Sequence, residues 1–127
     1  MCTVYYIVPM KGGFGGYLRE VRERHRRDDP AFSLRQVARR IGVEPSFLSK
    51  VERSEVAPPS EAKIVLLARE LGEDPDVLLA LAGKVSSDLQ EVIRKRPELF
   101  AGVIRQLKNM PDHAVLRVVR EVRDGEW

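Results

Sequence analysis

The chain has 127 residues, of which 43% are hydrophobic and 32% are charged. This length suits one globular domain with an appendage, and this composition excludes wholesale disorder. Its single cysteine, Cys2, excludes an intrachain disulfide, and no apolar run approaches the ~18 residues of a membrane span. These features predict a cytoplasmic protein.

The net charge of +3 is distributed unevenly along the chain. Residues 11–53 carry a net charge of +5, residues 54–83 carry −4 and residues 84–127 carry +2. A basic first half beside an acidic middle is typical of a protein that binds a polyanion on one face, although a solvated helical surface gives the same pattern.

Residues 1–13 come before the predicted helices. Val4–Val8 has the pattern of a short edge strand, and Met10–Gly13 reads like a natural start. We therefore expect this segment to be an N-terminal arm or the product of an upstream mis-start of translation. The glycines around residue 13 lack the Gly-Lys-Ser/Thr of a phosphate-binding loop, so we do not assign them that role.

Apolar residues at helical spacing predict helices from residue 17 onward, with no strand pair and no internal repeat. The first helix is predicted over Tyr17–Arg27, and a polar loop follows it. Ser33 should cap the second helix, with Gln36 completing a capping box. The other starts and stops are Gly42, Pro45, Ser60, Gly72, Pro75, Gly83, Pro97 and Pro111.

Two of these short helices meet at Gly42 with a specific spacing. Ala38 lies four residues before that glycine, and Leu48 and Val51 lie six and nine residues after it. A steep helix crossing needs a small residue at the contact, an unusual backbone angle in the turn, and apolar residues one turn apart on the second helix. The pattern predicts a helix-turn-helix, whose second helix can enter the major groove of DNA.

The segment Phe32–Arg53, FSLRQVARRIGVEPSFLSKVER, resembles the phage repressor/Cro-like (XRE) helix-turn-helix family. The stretch from Ala57 to Gly83 is similar to the fourth and fifth helices of that family. The resemblance covers residues 14–83 and implies an all-α fold. The resemblance implies a five-helix repressor-like DNA-binding domain, and the apolar spacing after residue 83 predicts a C-terminal helical extension over residues 84–127.

The resemblance also implies which residues contact DNA. Lys50 and Arg53 suit the acceptor atoms of guanine, and Ser46 suits either phosphate or a base edge. Phe47 could have either of two roles, packing beneath the helix or contacting a thymine methyl group, and we favour packing. The base-reading set is Glu44, Pro45, Ser46, Ser49, Lys50 and Arg53. The backbone-contacting set is Arg35, Gln36 and Arg39.

The chain departs from the family pattern at three positions. Leu34 stands where many relatives carry a phosphate-binding Gln, so Arg35 or Gln36 must substitute. Glu44 replaces a Ser or Thr, and its carboxylate suits a cytosine amino group better than a phosphate. Ser54 replaces a glycine that closes the helix end easily.

Nothing in the sequence predicts catalysis, a metal site or a cofactor. His25 and His113 are far apart and are expected to be solvated surface histidines, and Cys2 has no basic neighbour to activate it. We therefore expect that the protein is not an enzyme.

These residues predict a sequence-specific transcription regulator, a repressor that binds a palindromic operator as a homodimer. Apolar stripes after the hinge Lys84–Ser87 would supply the dimer contact, although they could instead close over the first five helices. The alternative function is an antitoxin or defence-locus regulator whose main partner is a toxin or peptidase protein.

Overall fold

Eight α-helices and one 3-10 turn make up the described part of the chain, residues 13–125 of the computed structural model. The predicted all-α fold is confirmed, and no strand occurs within these residues. The proposed N-terminal arm or mis-start at residues 1–13 lies outside them, except for residue 13. The helices are α1 Gly13–Arg26, α2 Leu34–Ile41, α3 Pro45–Glu52, α4 Glu61–Leu71, α5 Pro75–Leu81, α6 Ser87–Lys95, α7 Pro97–Lys108 and α8 Asp112–Asp124, with the 3-10 turn at Pro30–Phe32.

Residues 13–87 pack as one compact unit around a single apolar core. Every one of α1 to α5 contributes to it, which is why such short helices are stable together. The buried apolar residues are Phe14, Leu18, Val21, Val37, Ala38, Ile41, Leu48, Val51, Ile64, Leu67, Ala68, Leu71, Leu78 and Leu79.

The first helix begins four residues earlier than predicted. The expected start was Tyr17, but α1 already includes the glycine-rich stretch from Gly13. Phe14 explains the difference because its side chain is only 6% exposed and belongs to the core. Burying an aromatic side chain offsets the poor helix propensity of the glycines around it.

One hairpin of two helices occurs twice, so the expectation of no internal repeat is wrong at this scale. The turn after α2 reads Gly-Val-Glu-Pro and the turn after α4, thirty residues on, reads Gly-Glu-Asp-Pro. Gly42 and Gly72 both adopt left-handed φ, at 76° and 69°. In each turn the next amide donates to the carbonyl of an alanine five residues back, Ala38 or Ala68. Both helices therefore end in the same Schellman arrangement.

Enlarging Ala38 should destabilise the α2–α3 crossing. Its side chain is fully buried, so Ala38→Leu should lower the free energy of unfolding by about 1–3 kcal/mol through overpacking. Lys50→Ala, on the exposed side of α3, should change it by less than about 0.5 kcal/mol. Urea unfolding of both variants measures this, and the opposite ranking would contradict the packing.

Residues 88–125 form a second compact unit. None of α6, α7 and α8 has a buried residue. Leu99 on α7 and Val122 on α8 are among the most exposed, at 68% and 59%. Between residues 13 and 125, no helix has both the length and the apolar character needed to cross a membrane.

Candidate nucleic-acid interface

The entry into α2 is set by Ser33. Its hydroxyl accepts a hydrogen bond from the Gln36 amide at 3.3 Å, as a helix N-cap should. The capping box is only half formed, which corrects the prediction, because the Ser33 amide instead donates to Pro30 in the 3-10 turn. The Gln36 side chain therefore has no internal hydrogen bond within the described residues and stays exposed.

The inward side of α3 holds this helix against the core. Leu48 and Val51 are at most 2% exposed. Phe47 is half-buried and packs against the core, as favoured from the sequence. These contacts fix the rotation of α3 about its axis, and so they decide which residues point outward.

The outward side of α3 carries the residues proposed to read bases. Ser46, Ser49, Lys50 and Arg53 follow the i, i+3, i+4, i+7 spacing of one helix face. Ser46, Lys50 and Arg53 are exposed and Ser49 is half-buried. Arg53 forms an ion pair with Glu55 at 3.3 Å, whereas Lys50 has no ion-pair partner within residues 13–125. A cation without an internal partner is available to an external anion.

The two remaining members of the base-reading set lie at the start of α3. Pro45 is the first residue of the helix and is half-buried. Glu44 occupies the N-cap position and is exposed, but its carboxylate makes no capping hydrogen bond. Its oxygens are therefore not used to hold the helix, which leaves them available to a base edge.

The backbone-contacting set lies along α2. Arg35, Gln36 and Arg39 are all exposed. Neither arginine has an ion-pair partner in the described part of the chain. Arg40 differs, because its guanidinium forms a 2.6 Å ion pair with Glu70 and lies over the Phe32 ring at 5.3 Å. Arg40 is therefore committed to internal contacts.

The end of α3 is closed by a serine in a glycine-like backbone conformation. Ser54 adopts φ of 59°, the left-handed conformation that glycine adopts without strain. The amides of Ser54 and Glu55 donate to Val51 and Lys50, so the helix closes with the same arrangement that ends α2. The serine closes the helix, but in a backbone conformation that L residues disfavour.

A helix-turn-helix domain model matches residues 14–81, which is more than half of the chain and runs from α1 to the end of α5. The chain belongs to the helix-turn-helix domain family. No curated protein and no solved structure matches it significantly. Family membership supports DNA binding by this unit.

A buried ion pair inside the helix-turn-helix domain was missed by the sequence analysis. Arg22 of α1 donates to both carboxylate oxygens of Glu52 of α3, at 2.7 and 2.9 Å. The two residues are only 3% and 6% exposed. The hydrogen bonds to Glu52 raise the pKa of Arg22 above its ordinary value, against the opposing effect of burial. A signal was present, since each charge lies four residues after a core leucine.

The same arginine also binds the segment that leads into α2. Its Nη1 atom donates to the Phe32 carbonyl at 3.2 Å. Arg22 thus joins α1, the 3-10 turn and α3, and this single side chain helps to position both helices of the helix-turn-helix. The loop after α1 is held at its far end by this contact.

Gly15 allows α1 to approach the C-terminal end of α3 closely. A Cβ atom at this position would overlap the carbonyl oxygen of Val51 and lie 2.9 Å from that of Glu52. Both neighbours are backbone atoms, which cannot rotate away as a side chain can. Within the glycine run, Gly15 therefore has a packing role in the helix-turn-helix domain.

The expectation of a solvated histidine is wrong for His25. Its Nε2 lies 2.8 Å from the Leu71 carbonyl at the end of α4, and its ring stacks on Phe32 with centroids 4.7 Å apart. His113 on α8 is exposed, as expected. Within residues 13–125, no cluster of His, Cys, Asp and Glu is suited to hold a metal ion.

Proposed function

We propose that this protein is a sequence-specific, non-enzymatic DNA-binding transcriptional regulator of the phage repressor/Cro-like (XRE) type, acting in the cytoplasm. In this proposal it represses by binding a palindromic operator as a homodimer. The observation that carries the proposal is the outward face of α3, where Ser46, Lys50 and Arg53 are exposed while Leu48 and Val51 hold the helix from beneath.

In the proposed complex α3 lies in the major groove. Lys50 and Arg53 donate to the O6 and N7 atoms of guanine, and Glu44 accepts from a cytosine amino group. Ser46 and Ser49 contact a base edge or a phosphate, and Pro45 packs at the groove edge. These contacts supply the sequence preference of the complex.

The DNA backbone is held from α2 in this proposal. Arg35, Gln36 and Arg39 are exposed, and the two arginines have no ion pair within the described residues. Each phosphate neutralised by an arginine releases counterions, so each should add about 0.9 to the slope of log affinity against log salt. Arg39→Ala should therefore weaken binding to all DNA sequences by the same factor and lower the magnitude of that slope by about 1.

A geometric argument favours a homodimer, because one short helix contacts too few base pairs for useful specificity. Two copies related by a two-fold axis read half-sites about 34–36 Å apart. In the proposed domain arrangement residues 14–83 bind DNA and residues 84–127 dimerise. The support for the second role is the exposed apolar surface of α7 and α8.

The test begins by selecting the preferred DNA sequence from a random pool with the full chain. Lys50→Ala should then weaken binding to that sequence by about 10- to 100-fold, the loss expected for one direct base contact. Lys108→Ala on α7 removes the same charge outside the helix-turn-helix domain and is the matched control. Gel shifts in which Lys50→Ala binds the selected and scrambled sequences as the parent does would refute base reading by α3.

A further inference from the structure

One face of α7 carries exposed aliphatic residues. Leu99, Gly102, Val103 and Gln106 follow at helical spacing on α7, and together with Met110, which lies just beyond the end of the helix, they form what we term the α7 strip. Leu99 is 68% exposed and Val103 is 51% exposed. Together with Leu107 and with Val118 of α8, the strip lines a groove of about 460 Å³. Exposed aliphatic residues that line a groove are typical of an interaction surface.

No close approach within the described chain requires glycine at position 102, in the middle of α7. A Cβ atom added to Gly102 would meet no other atom within 4 Å. Glycine disfavours a helix interior relative to alanine, so the position carries a conformational cost without an internal packing gain. The open space over Gly102 can receive a side chain from another molecule, next to the exposed Leu99.

Two opposite charges flank the strip on the same side. Glu98 and Arg105 are seven residues apart, which places them at nearly the same angle around the helix. Both are exposed, and neither has an ion-pair partner within residues 13–125. When two copies of such a helix pair antiparallel, residues on the same flank meet, so each Glu98 faces an Arg105.

We propose that α7 pairs antiparallel with α7 of a second copy of this chain, and this inference rests on the proposed homodimer. Leu99 of each copy packs into the space over Gly102 of the other, and two Glu98–Arg105 ion pairs close the contact. The large residue meets the small one and each charge meets its opposite only in the antiparallel arrangement. A parallel pair places the two Glu98 carboxylates at the same level.

Charge reversal in the full chain tests this pairing. Glu98→Arg and Arg105→Glu should each raise the dimer dissociation constant at least about tenfold, because the two-fold axis converts both attractions into repulsions. The double variant restores both pairs and should dimerise like the parent. An equimolar mixture of the two single variants should form heterodimers, since one copy then offers two arginines and the other two glutamates.

Sedimentation equilibrium at low salt measures the parent, the two single variants, the double variant and the mixture. Arg19→Glu, an exposed charge reversal on α1, is the control and should leave the dissociation constant unchanged. If the parent dimerises and both single variants dimerise equally well, the α7 pairing is overturned while the proposed dimer stands. A parent that is monomeric overturns the pairing together with the dimer, and the Lys50→Ala gel shift still tests DNA reading separately.

Discussion

Removing either partner of the Arg22–Glu52 ion pair should lower the free energy of unfolding by about 3–5 kcal/mol. Arg22→Ala leaves the Glu52 carboxylate buried without its two donors, and Glu52→Ala leaves the buried guanidinium with only the partly exposed Glu23 carboxylate, 3.0 Å away, as its ion-pair partner. An uncompensated buried charge is costly because the interior solvates it poorly. Urea unfolding followed by circular dichroism measures the loss.

The double variant Arg22→Met/Glu52→Leu separates the cost of an orphaned charge from the value of the pair. We expect it to be more stable than either single variant, because similar-sized apolar residues leave no buried charge. Glu20→Ala removes the exposed partner of Arg24 on the same helix and should cost at most about 0.5 kcal/mol. Single variants as stable as that control would show that the buried pair does not hold α1 to α3.

Gly15→Ala should be the most disruptive single-methyl change in α1. The added carbon overlaps the Val51 carbonyl oxygen, so α1 and α3 must move apart. We expect a loss of at least about 1–3 kcal/mol in the free energy of unfolding, although alanine is the better helix former. Since α3 carries the proposed base-reading residues, its displacement should also weaken binding to the selected DNA.

Arg19→Ala is the matched control for this change. Arg19 is an exposed residue of the same helix, so its replacement should change stability by no more than about 0.5 kcal/mol and leave DNA affinity within a few-fold. Thermal melts and gel shifts on the two variants measure both effects. A Gly15→Ala protein that melts with the parent would mean that α1 does not approach α3 as closely as described.

The features that could be predicted from the sequence are those that depend on neighbouring residues. Ser33 caps α2, Gly42 ends it and Pro45 begins α3. The hydrogen bonds at these helix ends join residues no more than five positions apart. Periodicity then identified Leu48 and Val51 as core residues. Such local features can be predicted because helix ends and faces follow from short sequence patterns.

The remaining features depend on contacts between distant residues. Arg22 and Glu52 are thirty residues apart, and each resembles an ordinary surface charge until α1 and α3 are brought together. The bond from His25 to the end of α4 spans forty-six residues and has no local pattern. Periodicity also indicates the outward face of α3. Which base each side chain would contact depends on the sequence of the DNA site, which the amino-acid sequence does not specify.

The α2–α3 and α4–α5 hairpins share the same turn but carry different surface charges. Thirty residues after Ser46 and Lys50, α5 carries Asp76 and Ala80, both exposed, and Val77 is 44% exposed. A polyanion approaching this domain therefore meets two projecting helices of similar build, one offering cations and the other a carboxylate and aliphatic groups. Coulomb repulsion disfavours the second encounter, so in the proposed complex we expect these surface charges to favour docking through α3 rather than α5.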